Sequence, residues 1–504
     1  MRTLVTPEGM YALEGRYFAG GTPSLVLMRR AADRLADAFT AHFGAFSGKT
    51  IAVACGRGNN GGDGYAFAAL AARAGAHVVL LAACDVPALH GDALTCAREA
   101  LALNIPCLSA DQIDEIPRPD VWVDALFGIG LNRPLNDFYA AIIGRINQDR
   151  AAGSRVLAVD APSGLNLTSG LAMGACVSAD VTVTFEYAKI GHYLADGLDQ
   201  CGLIDVRPLE TGLAPEAPIR LIEPRDALLA LPMRRRNVHK GTYGHLLIIA
   251  GSFGMAGAAH YAARMALRMG TGLVTLACPR SIVPIMQTLV PGAMAIPLNE
   301  ENGAISKDAL PALEQALHGK SAVIVGPGLS RRAAPEIVEA ILTCGLPAVI
   351  DADALNLIAE HAPLKALLQP HHVLTPHPGE AARLIGALSH PLEDAQRLHA
   401  LGATALLKGA SSVIAGESGL FLSASGCGGM ATGGSGDVLT GMIGALLAQK
   451  VDPETAAWAA SELHGLSGET AARALTETAM TASDLIDYWP ETLKALAAPL
   501  LRRL

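Results

Sequence analysis

The chain has 504 residues, 51% of them hydrophobic and 17% charged, with 53 glycines and a formal charge of −9. That length implies two or more domains, and that composition a packed, loop-rich α/β protein rather than a disordered one. The acidic balance excludes general nucleic-acid binding, which needs a basic surface, and 4% aromatic residues exclude a base-stacking platform.

Nine cysteines are scattered without a CxxC pair or a zinc-ligand spacing, which reads as buried thiols in a reducing compartment. The N-terminus carries Glu8 and Glu14 and lacks an apolar signal core. No apolar run approaches the roughly 18 residues of a membrane span. A cytoplasmic enzyme without a membrane partner is expected, with small-molecule substrates and a homo-oligomeric state.

In the first half, apolar runs at 50–55, 76–82, 121–124, 155–160 and 181–185 predict strands. Small-residue stretches at 24–41, 64–74, 92–103 and 136–149 predict helices. Strand and helix alternate, which predicts a parallel sheet covered on both faces. Between the first strand and its helix runs Gly56-Arg57-Gly58-Asn59-Asn60-Gly61-Gly62-Asp63-Gly64. Strand, glycine loop and helix is a phosphate-binding arrangement, although the spacing is not that of the usual dinucleotide fingerprint.

Residues 213–224 hold three prolines and little periodicity, so they read as a linker between domains at 1–212 and 225–504. Arg234-Arg235-Arg236 follows, either a solvated charge run or the rim of an anionic site. Strands are then predicted at 245–250, 272–278, 322–325, 348–350, 372–374 and 405–408, giving a second parallel α/β domain. Near the end, Ala431-Thr432-Gly433-Gly434-Ser435-Gly436-Asp437 precedes an apolar helix at 438–448. Glycines at a helix N-terminus free backbone N–H groups for an anion. A carboxylate there is poorly placed to bind phosphate but well placed to take a proton from a group beside it, so Asp437 is the candidate base.

Ligands of open α/β sheets sit outside the carboxyl ends of the strands. In the first half three loops meet that edge: 59–63, 124–130 and 160–164. Asn60, Asp124 and Ser163 offer amide, carboxylate and hydroxyl oxygens, a hard-cation set whose single charge favours potassium. Asp124 and Asp160 read otherwise as turn residues or caps. In the second half His377, fixed between two prolines, is a candidate substrate contact. Lys408 either meets a phosphate as a point charge or ends a strand. Asp351 and Asp353 either serve a magnesium ion through water or cap a helix.

These segments carry a close resemblance. Over roughly residues 1–210, GNNGGDG at 58–64, residues 123–134 and 159–164 resemble the NAD(P)H-hydrate epimerase family. The resemblance implies a Rossmann-like domain that inverts the hydrated nicotinamide carbon beside a bound K+. It places the dinucleotide against Asn59, Asn60, Gly61, Gly62, Asp63 and against Gly128, Ile129, Gly130, Leu131, Asn132, Arg133 and Pro134. Asp160 would touch the substrate as a catalytic residue, and Asn60, Asp124 and Ser163 would hold the cation. From about 225 onward, HKGTYG, GPGL, DADALN, TPHPGE, KGA and ATGGSGD resemble the ribokinase-like superfamily and, more closely, the ADP-dependent NAD(P)H-hydrate dehydratases. Here the resemblance implies hydrate contacts at Ala258, Gly328, His377 and Asp437. It implies nucleotide contacts at Lys408, Gly409, Ala410, Ser411, Ser412 and Gly436, with Mg2+ and ADP as cofactors; Ser411 stands where the family often has glycine. The fused pair resembles the bifunctional NAD(P)H-hydrate repair enzymes. The rival readings are a ribokinase-like small-molecule kinase, which has no use for the GNNGGDG half, and a dinucleotide sensor, which has no use for Asp437.

Overall fold

The run Thr50–Cys55 is buried at every position but its first, the pattern of a strand covered on both faces. It forms the third strand of a seven-stranded sheet. The order is Cys107–Ser109, His77–Ala82, Thr50–Cys55, Val121–Ala125, Arg155–Val159, Val181–Phe185 and Leu203–Arg207. Every neighbouring pair is parallel. The computed structural model describes residues 1–501 and divides into two compact units, residues 3–219 and residues 220–504 with residues 1–2.

In the first unit the chain order reverses between Thr50–Cys55 and Val121–Ala125, and the loops after these two strands flank the crevice that such a reversal opens. The helix Ser24–Phe43 buries Leu27, Met28, Ala31, Leu35, Ala38 and Phe39 on one stripe. The sequence reading starts the next helix at residue 64, but it spans Asn59–Arg73, so the asparagines form its first turn rather than a loop. Gly61 makes this possible: a Cβ there would lie 2.0 Å from the Gly56 carbonyl oxygen. A helix over Pro7–Ala19 was not predicted, although Thr6 caps it by accepting from the Gly9 N–H at 3.1 Å and Pro7 opens it. The short strands Arg2–Val5 and Ala188–Lys189 pair in parallel, Val5 opposite Lys189, and this fixes the chain at Lys189.

In the second unit the strands run Met294–Leu298, Leu273–Pro279, His245–Ile249, Ala322–Val325, Ala348–Ile350, His372–Leu374, Thr404–Leu407, Ser412–Gly416 and Gly419–Ser423, with Arg220 and Leu221 paired to the last. The expectation of a wholly parallel sheet fails at this end, where Thr404–Leu407, Ser412–Gly416 and Gly419–Ser423 form an antiparallel meander. Hairpin turns of this kind need no crossover helix. The chain reverses between His245–Ile249 and Ala322–Val325, placing the Gly251 and Gly326 loops at the crevice. The helix Ser435–Ala448 is buried from Val438 to Ala448, which explains its all-round apolar composition. Within residues 213–224, the Ile219–Leu221 segment is a strand and Pro224 opens a helix.

Candidate active sites

The two crevice loops of the first unit open onto a cavity of about 430 Å³. Asn59, Asn60, Asp63, Gly128, Ile129, Gly130, Leu131 and Asp160 line it. Gly61 and Gly62 do not. They are buried packing positions, and a Cβ on Gly62 would lie 2.6 Å from the Met28 methyl. Asn132, Arg133 and Pro134 are exposed on the loop beyond Leu131.

Asp160 follows the strand Arg155–Val159 with a φ of 64°, a left-handed conformation that costs energy for a residue with a side chain. Its Oδ1 accepts from Lys189 Nζ at 2.6 Å and from the Thr184 hydroxyl at 2.9 Å, and its carbonyl lies 2.8 Å from His192 Nε2. Burial opposes ionisation of Asp160, but the Lys189 ammonium overcomes it and holds the carboxyl below its ordinary range. Glu14, from the unpredicted helix Pro7–Ala19, also lines the cavity. Burial raises Glu14, Lys189 opposes this, and Asp160 adds to it. Asp63 is pushed well up by burial and then by Asp160 and Glu14. The cavity thus joins an ionised carboxylate, a buried ammonium and two carboxyls that favour their protons. Sequence reasoning missed Tyr11, Glu14 and Lys189. A lysine in the apolar stretch after a strand is the signal that could have found the last.

Asp124 is wholly buried. Its oxygens accept from the Ser163 hydroxyl at 2.6 Å, the Ser163 N–H at 2.7 Å and the Leu126 N–H at 3.2 Å, all neutral donors. Burial pushes Asp124 up to about 6, with the Ser163 bonds pulling the other way. Ser163 Oγ also accepts from the Phe127 N–H, next to Gly128, where a Cβ would lie 3.0 Å from Asn60 Oδ1. The structure therefore gathers Asn60, Asp124 and Ser163 around the segment 126–128. A buried carboxylate without a cationic partner and flanking oxygen donors fit a hard monovalent ion.

In the second unit Asp437 stands in the first turn of Ser435–Ala448, three residues beyond the N-cap Gly434. Gly434 has a φ of 97°, and a Cβ would meet the Tyr261 ring at 2.5 Å. Lys408 Nζ donates to Asp351 Oδ1 at 2.8 Å. Asp351 also accepts from the Thr375 hydroxyl at 2.8 Å and the Thr440 hydroxyl at 2.7 Å. Neither aspartate caps the following helix, contrary to the capping reading: Asp351 holds Lys408, and Asp353 accepts from the Ser330 N–H at 2.8 Å. Burial works against the Lys408 charge, but Asp351 and Glu380 hold it above its usual range. A Cβ on Gly436 would lie 3.3 Å from Lys408 Nζ, so these two nucleotide candidates meet. Burial, then Asp351, pushes Asp437 up to about 7 while Lys408 resists.

His377 caps the helix Pro378–Ile385 by accepting from the Gly379 N–H, its side chain half exposed beside buried Glu380. Gly328 and Ala258 adjoin, a Cβ on the first lying 3.0 Å from that of the second. Gly409, Ala410 and Ser411 turn the chain into the strand Ser412–Gly416. Among the described residues no three His, Cys, Asp or Glu side chains form a ready metal cluster. No described helix is long and apolar enough to cross a membrane.

Residues 24–191 match the family described as YjeF-related protein N-terminus, and residues 246–491 match the family described as NAD(P)H-hydrate dehydratase. The bifunctional NAD(P)H-hydrate repair enzyme Nnr of Moorella thermoacetica is 36% identical, covering 94% of this chain and 93% of its own. Its counterpart from Coxiella burnetii is also 36% identical, covering 97% and 99%. A ribokinase-like superfamily protein of Enterococcus faecalis superimposes on 55% of this chain and 96% of its own, with a TM-score of 0.50 at 23% identity, a likeness of fold.

Proposed function

The chain belongs to the bifunctional NAD(P)H-hydrate repair enzymes, and on that premise we propose how its residues divide the work. The enzyme restores hydrated NADH and NADPH by two activities, epimerisation of the hydrates and nucleotide-dependent dehydration. Epimerisation belongs to residues 1–212 and dehydration to residues 225–504, joined by 213–224. The observation that carries this assignment is the pairing of one buried lysine with one aspartate in each unit, each beside carboxyls that burial has raised.

Hydrated NADH carries a hydroxyl, a poor leaving group. Transfer of a phosphoryl group from ADP forms the O–P bond, breaks the phosphoanhydride and releases AMP. Departure of inorganic phosphate then breaks the ring C–O bond, and transfer of the proton on the adjacent ring carbon to the departing phosphate restores the ring double bond. Asp437, raised to about 7, takes the hydroxyl proton near neutral pH. Lys408 and the helix N-terminus at Gly434 to Gly436 stabilise charge on the transferred group, and Gly409 to Ser412 hold the rest of the nucleotide. Ala258, Gly328 and His377 position the S hydrate. Asp353 or Glu380 would help to hold a Mg2+ ion, which would supply further charge neutralisation on the nucleotide phosphates.

In the first unit Lys189, held charged by Asp160, protonates the ring hydroxyl so that the ring nitrogen expels water and the C–O bond breaks; water re-forms that bond on the opposite face and returns its proton to Lys189, converting R hydrate to S. Asn59, Asn60, Asp63 and the 128–131 segment hold the dinucleotide. Asn60, Asp124 and Ser163 would hold K+, which would supply a counter-charge to the substrate phosphates. A cytoplasmic location and a homo-oligomer complete the proposal. The test is to incubate the chain with mixed R and S hydrates plus ADP or ATP and follow the absorbance of NADH. Full recovery of both epimers with release of AMP or ADP and phosphate is expected. Accumulation of a stable phosphorylated product would instead mark a kinase.

A further inference from the structure

The first-unit cavity is electrically lopsided. Its lining includes Glu14, Asp63, Asp160 and Lys189, and Lys189 pairs with Asp160. Tyr11 lies in that field: burial raises its hydroxyl, and Glu14, Asp160 and Glu8 raise it further. Tyr139 lines the same cavity in the opposite surroundings. Burial raises it and the Cys84 thiol adds to this, but Arg57 and Arg133 pull it down. Arg57 lines the cavity, and Arg133 is exposed on the loop that carries Gly128 to Leu131. Among the described residues neither guanidinium makes an ion pair or a hydrogen bond. The aromatic floor between them is fixed: Phe127 meets Tyr139 edge-on at 4.6 Å, and Phe138 meets it at 5.0 Å.

Two unpaired guanidiniums beside a cavity that takes an anionic dinucleotide have one natural occupant. Arginine presents a planar fork of donors that matches phosphate oxygens. At the other end Lys189 is already paired with Asp160, so no free cation there competes for the same phosphates. Together the two ends orient the ligand. Resting on the epimerase reading above, we propose that Arg57 and Arg133 form a phosphate subsite beside Phe127 and Tyr139, which directs the hydrated ring toward Asp160 and Lys189. The phosphate is either the 2′-phosphate of NADPH hydrate or the pyrophosphate shared with NADH hydrate.

The experiment measures epimerisation of pure R hydrate by the full chain, for NADPH hydrate and NADH hydrate separately, in wild type, Arg57→Gln, Arg57→Lys and the Arg57→Gln/Arg133→Gln double variant. Arg57→Gln should raise KM about tenfold, the scale of one lost charged contact, with kcat little changed. Arg57→Lys should raise it less. Raising salt should weaken wild-type binding more than binding by the double variant. A KM rise confined to NADPH hydrate supports the 2′-phosphate, and a rise with both supports the pyrophosphate. Dehydration of S hydrate and thermal melting serve as controls for the fold, since both side chains are exposed. Unchanged KM for both hydrates in the double variant overturns the subsite. Absence of epimerisation in wild type would instead strike the epimerase reading itself.

Discussion

Lys189 Nζ lies 2.6 Å from Asp160 Oδ1, and the lysine side chain is 2% exposed. The second unit repeats the device, with Lys408 Nζ 2.8 Å from Asp351 Oδ1. In the first unit Asp160 is held ionised while its neighbour Asp63 is pushed up, and in the second Asp437 is pushed up beside the Lys408–Asp351 pair. Carboxyls driven apart in this way mark the acid and base positions of a site.

Removing the ammonium should therefore do more than delete a contact. Lys189→Met leaves Asp160 buried without its counter-charge, a change that typically costs about 3–5 kcal/mol. The first unit should melt earlier, and epimerisation should fall steeply. Dehydration of S hydrate by the same molecules should continue. Calorimetry with paired assays checks this, and an unchanged epimerisation rate would remove Lys189 from the proposed chemistry.

Asp437→Asn keeps size and hydrogen bonding but cannot accept a proton. Dehydration should drop by about 10²–10⁴-fold with epimerisation intact. The pH dependence has a definite sign. The base form is the carboxylate, and with Asp437 raised to about 7 that form is depleted below neutrality. The dehydration kcat/KM should fall as pH drops below about 7 and level off above it. Any residual rate in Asp437→Asn should lack this acidic limb. A limb that persists in the variant assigns the titration elsewhere.

Much of this was legible in the chain. The strand 50–55 and the GNNGGDG run predicted the crevice, because a buried parallel strand and a glycine cluster each have a strong local signature. What the glycines do was not legible. Gly61 and Gly62 serve helix packing against Gly56 and Met28, contacts set by tertiary approach rather than by sequence neighbours. Lys189 was missed because its partner Asp160 is 29 residues away. The short strands Ser412–Gly416 and Gly419–Ser423 escaped because Ser411-Ser412 and the glycines between them read as loop.

The proposed boundary can be tested by cutting the chain. A fragment beginning at 225 loses Arg220 and Leu221, which pair with Phe421 and Leu422 and leave that edge bare when removed. A fragment that begins at 217 retains the pairing. The longer fragment should be more soluble and melt higher, and should dehydrate S hydrate without consuming R hydrate. Consumption of both epimers at equal rates would refute the division of labour.

The last prediction concerns the cation. Asp124 is raised to about 6 by burial, so its proton is bound more tightly in the folded unit than in the unfolded chain. Stability from this group is therefore greatest below the unfolded value of about 4, and is lost as pH rises through about 6. A cation against Asp124 would favour its ionised form and reverse that loss. Potassium should thus raise the melting temperature of the first unit at pH 7.5 more than at pH 5, where Asp124 is mostly protonated. Tetramethylammonium at equal ionic strength should not do so, because it is too bulky to meet the oxygens of Asn60, Asp124 and Ser163. Asp124→Ala should abolish the potassium effect and weaken epimerisation, leaving dehydration of S hydrate unaffected. Equal melting temperatures and equal epimerisation rates in the two cations would remove the ion from these side chains.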